Sequence, residues 1–300
     1  MTRKRSFLCL FILFLCGACY SYLKKNEEFL SENERKELEA YKREVSIGRD
    51  MVGRLFQFYG AYFNDKVLSY VSDVGNYVAQ FSDANERRFI FGILDTDSVH
   101  AFSTPGSYIL VTYGALANMK NEAELAMFLA HEIAHVDKKH VFNALPNIEK
   151  DDLIDVQAID PLLKKRQRNP GTFTLEAGEQ ISRYLSGAEG PGIGMVRASK
   201  VGLAILFHRG MSAEQEYEAD RFGTQFAVRA NYDPYALRNF LTRLEKNRNS
   251  VDIKLLETTH PPLLDRIRAL DEELQRIHAQ DILAAKGEAR FLRMMEKLRR

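Results

Sequence analysis

Apolar residues recur every three to four positions along several stretches of the chain, which is the period of an amphipathic helix. One stretch begins at Asp65, and the residues that share its apolar face are Val67, Leu68, Val71, Val74 and Val78. Another begins at Asn121, which with Glu124 has the spacing of a helix N-cap and its acidic partner. Its apolar face consists of Leu125, Phe128, Leu129, Ile133 and Val136. Helices are therefore predicted from Asp65 and from Asn121 towards Pro146.

Further helices are predicted on either side of this region. Ser31 and Glu34 have the spacing of a capping box and open a charged helix towards Ile47, and Gly48 leads into a second helix. Helical periodicity returns from residue 201, with predicted helices over 213–230 and from 233 to 244. The chain closes with a charged helix whose apolar positions are Leu264, Ile267, Leu270 and Leu274.

The period changes to that of β-strands in two short stretches. "RFIFGILD" (88–95) and "SYILVTYG" (107–114) are rich in β-branched and aromatic residues, and turn residues 104–106 separate them. Residues near 147–200 are irregular and include "GAEGPGIG", which follows no strand and lacks the Lys-Ser/Thr of a phosphate-binding loop. This segment is predicted to be a flexible insertion. The expected fold class is α+β, mostly helical, with a small sheet.

Composition and charge narrow the class of protein. The chain has 300 residues and a formal net charge of +1. It therefore lacks the excess of positive charge that attracts nucleic acid, and no nucleic-acid partner is expected. Its three cysteines are Cys9, Cys16 and Cys19, all within the first 25 residues. The remainder has no thiol, so a metal site there must use histidine and carboxylate ligands.

Residues 1–25 have the layout of an export signal. Positive residues 3–5 precede the apolar run 7–15, and Gly17 and Ala18 precede Cys19. Three interpretations stay open: a lipoprotein leader with lipid on Cys19, an uncleaved anchor whose apolar run extends to Leu23, and full secretion. Each of them places residues 26–300, predicted to be a single domain, in the cell envelope on the periplasmic side, attached to the membrane through the N-terminus in the first two.

Candidate chemistry lies in "HEIAH", residues 131–135. Residues four apart on a helix share a face, so His131 and His135 can both point at one zinc ion. Glu132 lies about 100° round the helix, where it can reach a zinc-coordinated water and act as general base. His140 is predicted to lie on the solvated surface beside two lysines at the helix end.

A third zinc ligand is expected from "EYEAD", residues 216–220. Glu216 and Asp220 are four apart and share a face, so one can bind zinc while the other supports the ligating histidines. Glu218 points elsewhere and is predicted to be solvated. Without the HEIAH motif, this acidic stretch would more simply be an ordinary solvated helix face.

Four segments in order resemble the M48 family of zinc metallopeptidases, in particular its exported bacterial members. They are "HAFSTPGSYILVTYGAL" (100–116), "EAELAMFLAHEIAHV" (122–136), "EYEADRFG" (216–223) and "THPPLLDRI" (259–267). The resemblance covers residues 45–267 and implies a zincin fold of the gluzincin type, with the sheet bordering the active-site cleft. It also implies one Zn²⁺ held by His131, His135 and Glu216, with Glu132 as base and Asp220 as supporting acid.

The resemblance implies roles outside these two helices as well. His260 matches a histidine that either stabilises the oxyanion or closes the metal site, although a histidine before two prolines is also an ordinary loop residue. Arg266 matches an arginine that organises the site. Ser107, Tyr108 and Ile109 are expected to form an edge strand that binds extended peptide. The chain departs from the family at His100, where Asn is common, and at Ser107, where a second Gly is common.

The function expected from these features is that of a zinc-dependent endopeptidase of the cell envelope, acting on misfolded or misassembled envelope proteins. The alternative is a zinc-bound, chaperone-like assembly factor with little or gated proteolysis, in which His260 or the 147–200 insertion closes the cleft. Cleavage of an unfolded substrate that depends on Glu132 distinguishes the two.

Overall fold

The computed structural model describes residues 31–145, 202–203, 205–206, 210–247 and 256–298. The leader with Cys19 and the insertion near 147–200 lie outside these residues, so what was predicted for them stays a prediction. The chain divides into two compact units, Met1–Arg43 and Glu44–Arg300, and everything from the sheet onwards belongs to the second. Within the described ranges, no helix has both the length and the apolar character needed to cross a membrane.

Helix α1 spans Glu32–Tyr59, and helix α2 spans Asp65–Ala79 with Asn64 as its N-cap. The sequence predicted two helices where α1 is continuous through Gly48. Gly48 does not interrupt the helix. It allows the backbone of Pro105 to approach closely, because a Cβ at position 48 would lie 1.6 Å from the carbonyl oxygen of Pro105. A side chain at this position is therefore excluded by the turn that follows the second strand.

Three strands form one sheet: β1 (Ile90–Leu94), β2 (Ala101–Thr104) and β3 (Tyr108–Thr112), in the order β1-β3-β2. β3 pairs with β1 in parallel and with β2 in antiparallel, so both of its edges are used. The prediction that Ser107, Tyr108 and Ile109 form an edge strand is therefore wrong. Tyr108 is paired with Ile90 on one side and with Thr104 on the other, and Ile109 is fully buried.

The remaining helices surround one central helix, α4. Their bounds are α3 Tyr113–Asn118, α4 Glu122–Asp137, α5 His140–Ala144, α6 Ala213–Arg229, α7 Ala236–Glu245, α8 Leu263–Arg276 and α9 Glu288–Leu298, with a 3₁₀ turn at Ala279–Asp281. Leu125, Leu129 and Ile133 of α4 have no exposed surface and pack among residues of α2, α6 and α7. The predicted α+β class, mostly helical with a small sheet, is confirmed.

The first residue of α4 is tied to distant parts of the chain. The carboxylate of Glu122 has no exposed surface and accepts hydrogen bonds from the hydroxyls of Tyr70 and Tyr232 and from the guanidinium of Arg290. These partners lie in α2, in the turn after α6 and in α9. Because a buried carboxylate is stable only when it is paired, this cluster holds the start of α4 in place.

Candidate metal centre

The three residues of the HEIAH motif lie inside the protein. His131, Glu132 and His135 are only 3%, 6% and 5% exposed. α6 packs directly against this part of α4, and Gly223 makes the close approach possible. Polar groups buried between two helices need specific partners, so each of these side chains must be accounted for.

Three ligand atoms converge between α4 and α6. The Nε2 atoms of His131 and His135 are 3.1 Å apart, and Glu216 places one carboxylate oxygen 3.6 Å from the first and the other 3.5 Å from the second. Glu216 lies in the first turn of α6, which begins with a capping box formed by Ser212 and Gln215. The set of two imidazoles and one carboxylate is one that zinc takes in catalytic sites with an open fourth position.

Glu216 supplies a test of whether these residues fit a metal ion. Its Oε2 atom is buried and has no hydrogen-bond donor among the described residues. Burial raises the pKa of Glu216 to about 7, against the opposing charges of His131 and Arg266. A divalent cation bound to this oxygen and to both Nε2 atoms would satisfy all three. The residues present therefore fit a metal, as the sequence predicted.

His131 is oriented by a carboxylate behind it. Its Nδ1 atom lies 2.9 Å from Oδ1 of Asp220, and Arg266 holds Asp220 with two hydrogen bonds of 2.9 and 2.6 Å. Burial alone would lower the pKa of His131, but the hydrogen bond and charge of Asp220 raise it overall. Burial would raise the pKa of Asp220, yet Arg266 and His131 hold it below its usual value. Asp220 therefore directs Nε2 of His131 towards the metal position.

His135 is oriented by His140, which the sequence placed on the surface. That prediction is wrong: His140 is 3% exposed, its Nδ1 atom is 2.8 Å from Nδ1 of His135, and its Nε2 atom is 3.0 Å from Oε2 of Glu218. Lys139 has φ 54°, so α4 ends there and the chain turns His140 inwards. Glu218, predicted to be solvated, is 37% exposed and binds His140 with its carboxylate.

Glu132 faces the cleft beside the metal position. Glu132 and Ser103 of β2 both line this cleft. Burial raises the pKa of Glu132, an effect reduced by His131 and Ser103. A carboxylate with a raised pKa is a stronger base, which suits it to accept a proton.

A cleft lies in front of the metal position. Its lining includes the edge strand β2, a strand that sequence patterns did not identify because four residues are too few to show a period. The residues that line it are His100, Ala101, Phe102, Ser103, Glu132, His135, Val141, Leu206, Gly210, Met211, Glu216, Thr259 and His260. Glu132 and the two ligands from α4 and α6 thus share one cavity with the outer edge of β2.

His260 and Arg266 occupy different sides of the site. His260 lines the cleft, its Nε2 atom is 3.8 Å from Oε2 of Glu216, and its ring lies 5.2 Å from that of His100. Burial, with the nearby His100, lowers the pKa of His260 well below its usual value. Arg266 contacts Asp220 and approaches Oε2 of Glu216 at 3.9 Å, behind the ligands and outside the cleft lining found in the described residues.

Comparison with known proteins agrees with this geometry. The model of peptidase family M48 matches residues 66–274. A putative beta-barrel assembly-enhancing protease of Vibrio cholerae is 28% identical over 206 residues, which cover 68% of this chain and 38% of that protein. The beta-barrel assembly-enhancing protease of Escherichia coli K12 is 28% identical over 227 residues, covering 72% of this chain and 42% of that protein.

A eukaryotic protein is also similar to this chain. The mitochondrial metalloendopeptidase OMA1 of Schizosaccharomyces pombe is 26% identical over 206 residues, 68% of this chain and 52% of that protein. The chain thus spans about two fifths to one half of the length of these relatives. The match to the family model covers most of the chain and includes the HEIAH motif and the helix with Glu216. The chain therefore belongs to peptidase family M48.

Proposed function

We propose that this protein is a zinc-dependent endopeptidase of the cell envelope that degrades misfolded or misassembled envelope proteins. The observation that carries the proposal is the shared cavity, in which Glu132 lies beside the ligand residues and the outer edge of β2. His131, His135 and Glu216 would hold the zinc ion. When bound, zinc supplies a Lewis acid that polarises the scissile carbonyl and lowers the pKa of water.

Glu132 would move the proton in this reaction. It would take a proton from the attacking water and deliver it to the leaving amine. Burial raises its pKa, which makes the carboxylate a better proton acceptor. Ser103, which lines the same cleft, would help to hold the carboxylate in place. His260, whose ring lines the cleft, would stabilise the oxyanion, whereas Arg266 would organise Asp220 and Glu216 from behind.

Substrate would bind along β2 instead of the predicted Ser107–Ile109. The antiparallel ladder pairs His100 with Thr112 through the backbone, and its alternation directs the backbone groups of Ala101 and Ser103 towards the cleft. An extended peptide can add to such an edge through main-chain hydrogen bonds, which read little sequence. Recognition of this kind favours unfolded or misassembled proteins as substrates.

The experiment compares wild type with Glu132→Gln on casein, with Zn²⁺ supplied. Wild type should cleave casein, and Glu132→Gln should not, because an amide cannot accept the proton. Glu132→Gln should still bind one equivalent of Zn²⁺, since Glu132 is not among the three ligands, and this controls for loss of the site. Equal cleavage by the two proteins would refute the proposal.

A second candidate function is a chaperone-like assembly factor with little or gated proteolysis. His260 favours it, because its Nε2 atom is 3.8 Å from a ligand oxygen and is within reach of the same metal position. In this case neither wild type nor Glu132→Gln cleaves casein, and both restore the assembly of envelope proteins in cells that lack the protein. Loss of that rescue in Glu132→Gln alone would instead support the endopeptidase.

The cell-envelope location rests on residues 1–25 and on the names of the bacterial relatives. We propose attachment to the membrane by lipid on Cys19, with an uncleaved N-terminal helix as the alternative. Mass spectrometry of the mature N-terminus distinguishes a lipidated Cys19 from an intact leader and from simple cleavage.

A further inference from the structure

A histidine and a carboxylate stand in line behind one of the two ligand histidines. His140 contacts His135 through its Nδ1 atom at 2.8 Å and Glu218 through its Nε2 atom at 3.0 Å. We propose that His140 and Glu218 are positioning residues that hold His135 in the tautomer and orientation that bind the metal. This inference rests on the proposed metal site and assigns to it two residues outside the ligand set.

The donors and acceptors on His135, His140 and Glu218 fix the direction of the two hydrogen bonds that link them. A neutral imidazole has one N–H donor and one acceptor nitrogen. Nε2 of His135 faces the carboxylate of Glu216 and must keep its lone pair to bind a metal, so Nδ1 carries the proton. That proton can be donated only if Nδ1 of His140 is the acceptor. The remaining proton of His140 is then on Nε2, where it is donated to Glu218, a group that only accepts.

The two ligand histidines therefore have different supports. His131 is held directly by Asp220, whereas His135 is held by a carboxylate acting through a second imidazole. Both carboxylates come from α6, at positions 218 and 220, and a third at position 216 is the ligand itself. About one and a half turns of α6 thus supply the metal ligand Glu216, the carboxylate that contacts His131 and the carboxylate that acts on His135 through His140.

The backbone places His140 for this contact. Lys139 adopts φ 54° and ψ 34°, which ends α4 and turns the next residue inwards as the start of α5. The side chain of His140 is 4% exposed, and both of its nitrogen atoms meet a polar partner. A buried imidazole with only apolar neighbours would not be tied to a ligand in this way.

The test measures metal affinity in full-length protein carrying substitutions at His140. His140→Phe keeps a ring and removes the acceptor, so Zn²⁺ affinity in chelator competition should fall about 10–100-fold, as when other outer partners of ligand histidines are removed. His140→Asn offers an amide oxygen to Nδ1–H of His135 and should recover most of that loss. The absorption spectrum of bound Co²⁺, which reports ligand geometry, should change in the Phe variant and return towards wild type in the Asn variant.

Equal losses in the Phe and Asn variants, with both apo proteins folded by circular dichroism, would show that packing and not the hydrogen bond matters, and would overturn the proposal. If His140→Phe does not fold, Glu218→Ala decides, with Glu214→Ala on the exposed face of the same helix as its control. Glu218→Ala should weaken Zn²⁺ binding more than Glu214→Ala. The same affinity in these two variants would also overturn the proposal.

Failure of this inference is distinguishable from failure of the proposed function. Wild-type protein that binds no Zn²⁺ or Co²⁺ contradicts the metal site itself. A different result contradicts only the positioning role. In that case wild-type protein binds Zn²⁺ and cleaves casein, and the His140 and Glu218 variants have the same Zn²⁺ affinity and the same Co²⁺ spectrum as wild type.

Discussion

Replacing Gly223 by alanine should weaken metal binding although the added methyl group would contact only the backbone beside His131 and none of the ligand atoms. A Cβ at this position in α6 would lie 2.8 Å from the backbone nitrogen of His131 and 2.9 Å from Ala130 C and His131 Cα. Carbon atoms pack at about 3.5–4.0 Å, so the two helices must separate locally by roughly 0.6 Å or more. Glu216 lies seven residues earlier, about two turns away on the same face of α6, and must move with it.

The expected changes in stability and in metal affinity are of different size. Alanine favours a helix by about 1 kcal/mol over glycine, whereas overpacking costs about 1–3 kcal/mol, so the apo protein should lose at most about 2 kcal/mol. Metal–ligand distances tolerate changes of only about 0.2 Å, well below the separation required. Glu216 and Asp220 would both be displaced from His131, and Zn²⁺ affinity should fall at least about tenfold, as when other supports of ligand histidines are lost.

Chelator competition gives the affinity, and urea unfolding with chelator present gives the free energy of unfolding of the apo protein. Casein hydrolysis at subsaturating Zn²⁺ should fall in parallel with the affinity and recover at saturating Zn²⁺ to the extent that the geometry recovers. Glu214→Ala, on the exposed side of α6, is the control. A Gly223→Ala protein with wild-type Zn²⁺ affinity and an unchanged or higher free energy of unfolding would refute the claim that this backbone contact sets the position of Glu216.

Three further predictions concern stability. Arg266→Leu removes the charged partner that makes two hydrogen bonds to the buried carboxylate of Asp220 and should lower the free energy of unfolding by about 3–5 kcal/mol in urea; an unchanged value would contradict this prediction. Removal of metal by chelator should lower the melting temperature, because a ligand at about 1,000 times its Kd contributes about 4 kcal/mol; zinc, but not magnesium, should restore it. Ser107→Gly should raise the free energy of unfolding by about 1 kcal/mol, since Ser107 has φ 71° and its buried hydroxyl has no partner among the described residues; calorimetry measures the gain.

The ligand set could be predicted because each part of it obeys a local rule. The i, i+4 spacing of His131 and His135 and the acidic repeat at Glu216 and Asp220 depend only on helix geometry, and both helices form where they were predicted. Asn121 accepts a hydrogen bond from the backbone of Glu124, as expected for the N-cap of α4. The sheet order could not be predicted in the same way, because pairing joins residues distant in sequence and β2 is too short to show a pattern. Ser107 shows the same limit, since only the observed φ of 71° explains why glycine is common there in the family.

His140 was misplaced because the helical period was continued past the C-terminal end of α4. Continued as a helix, residue 140 would lie about 140° round from His135, beside Lys138 and Lys139 on the outer side. The left-handed conformation of Lys139 breaks that period, and a lysine there is not a signal for it. One signal was present, however. α4 has apolar residues around most of its circumference, so its polar residues had to be interior, and interior histidines need polar partners. Asp220 meets that need for His131, and a second partner for His135 had to come from a nearby histidine or acid, a requirement that His140 and Glu218 fulfil together.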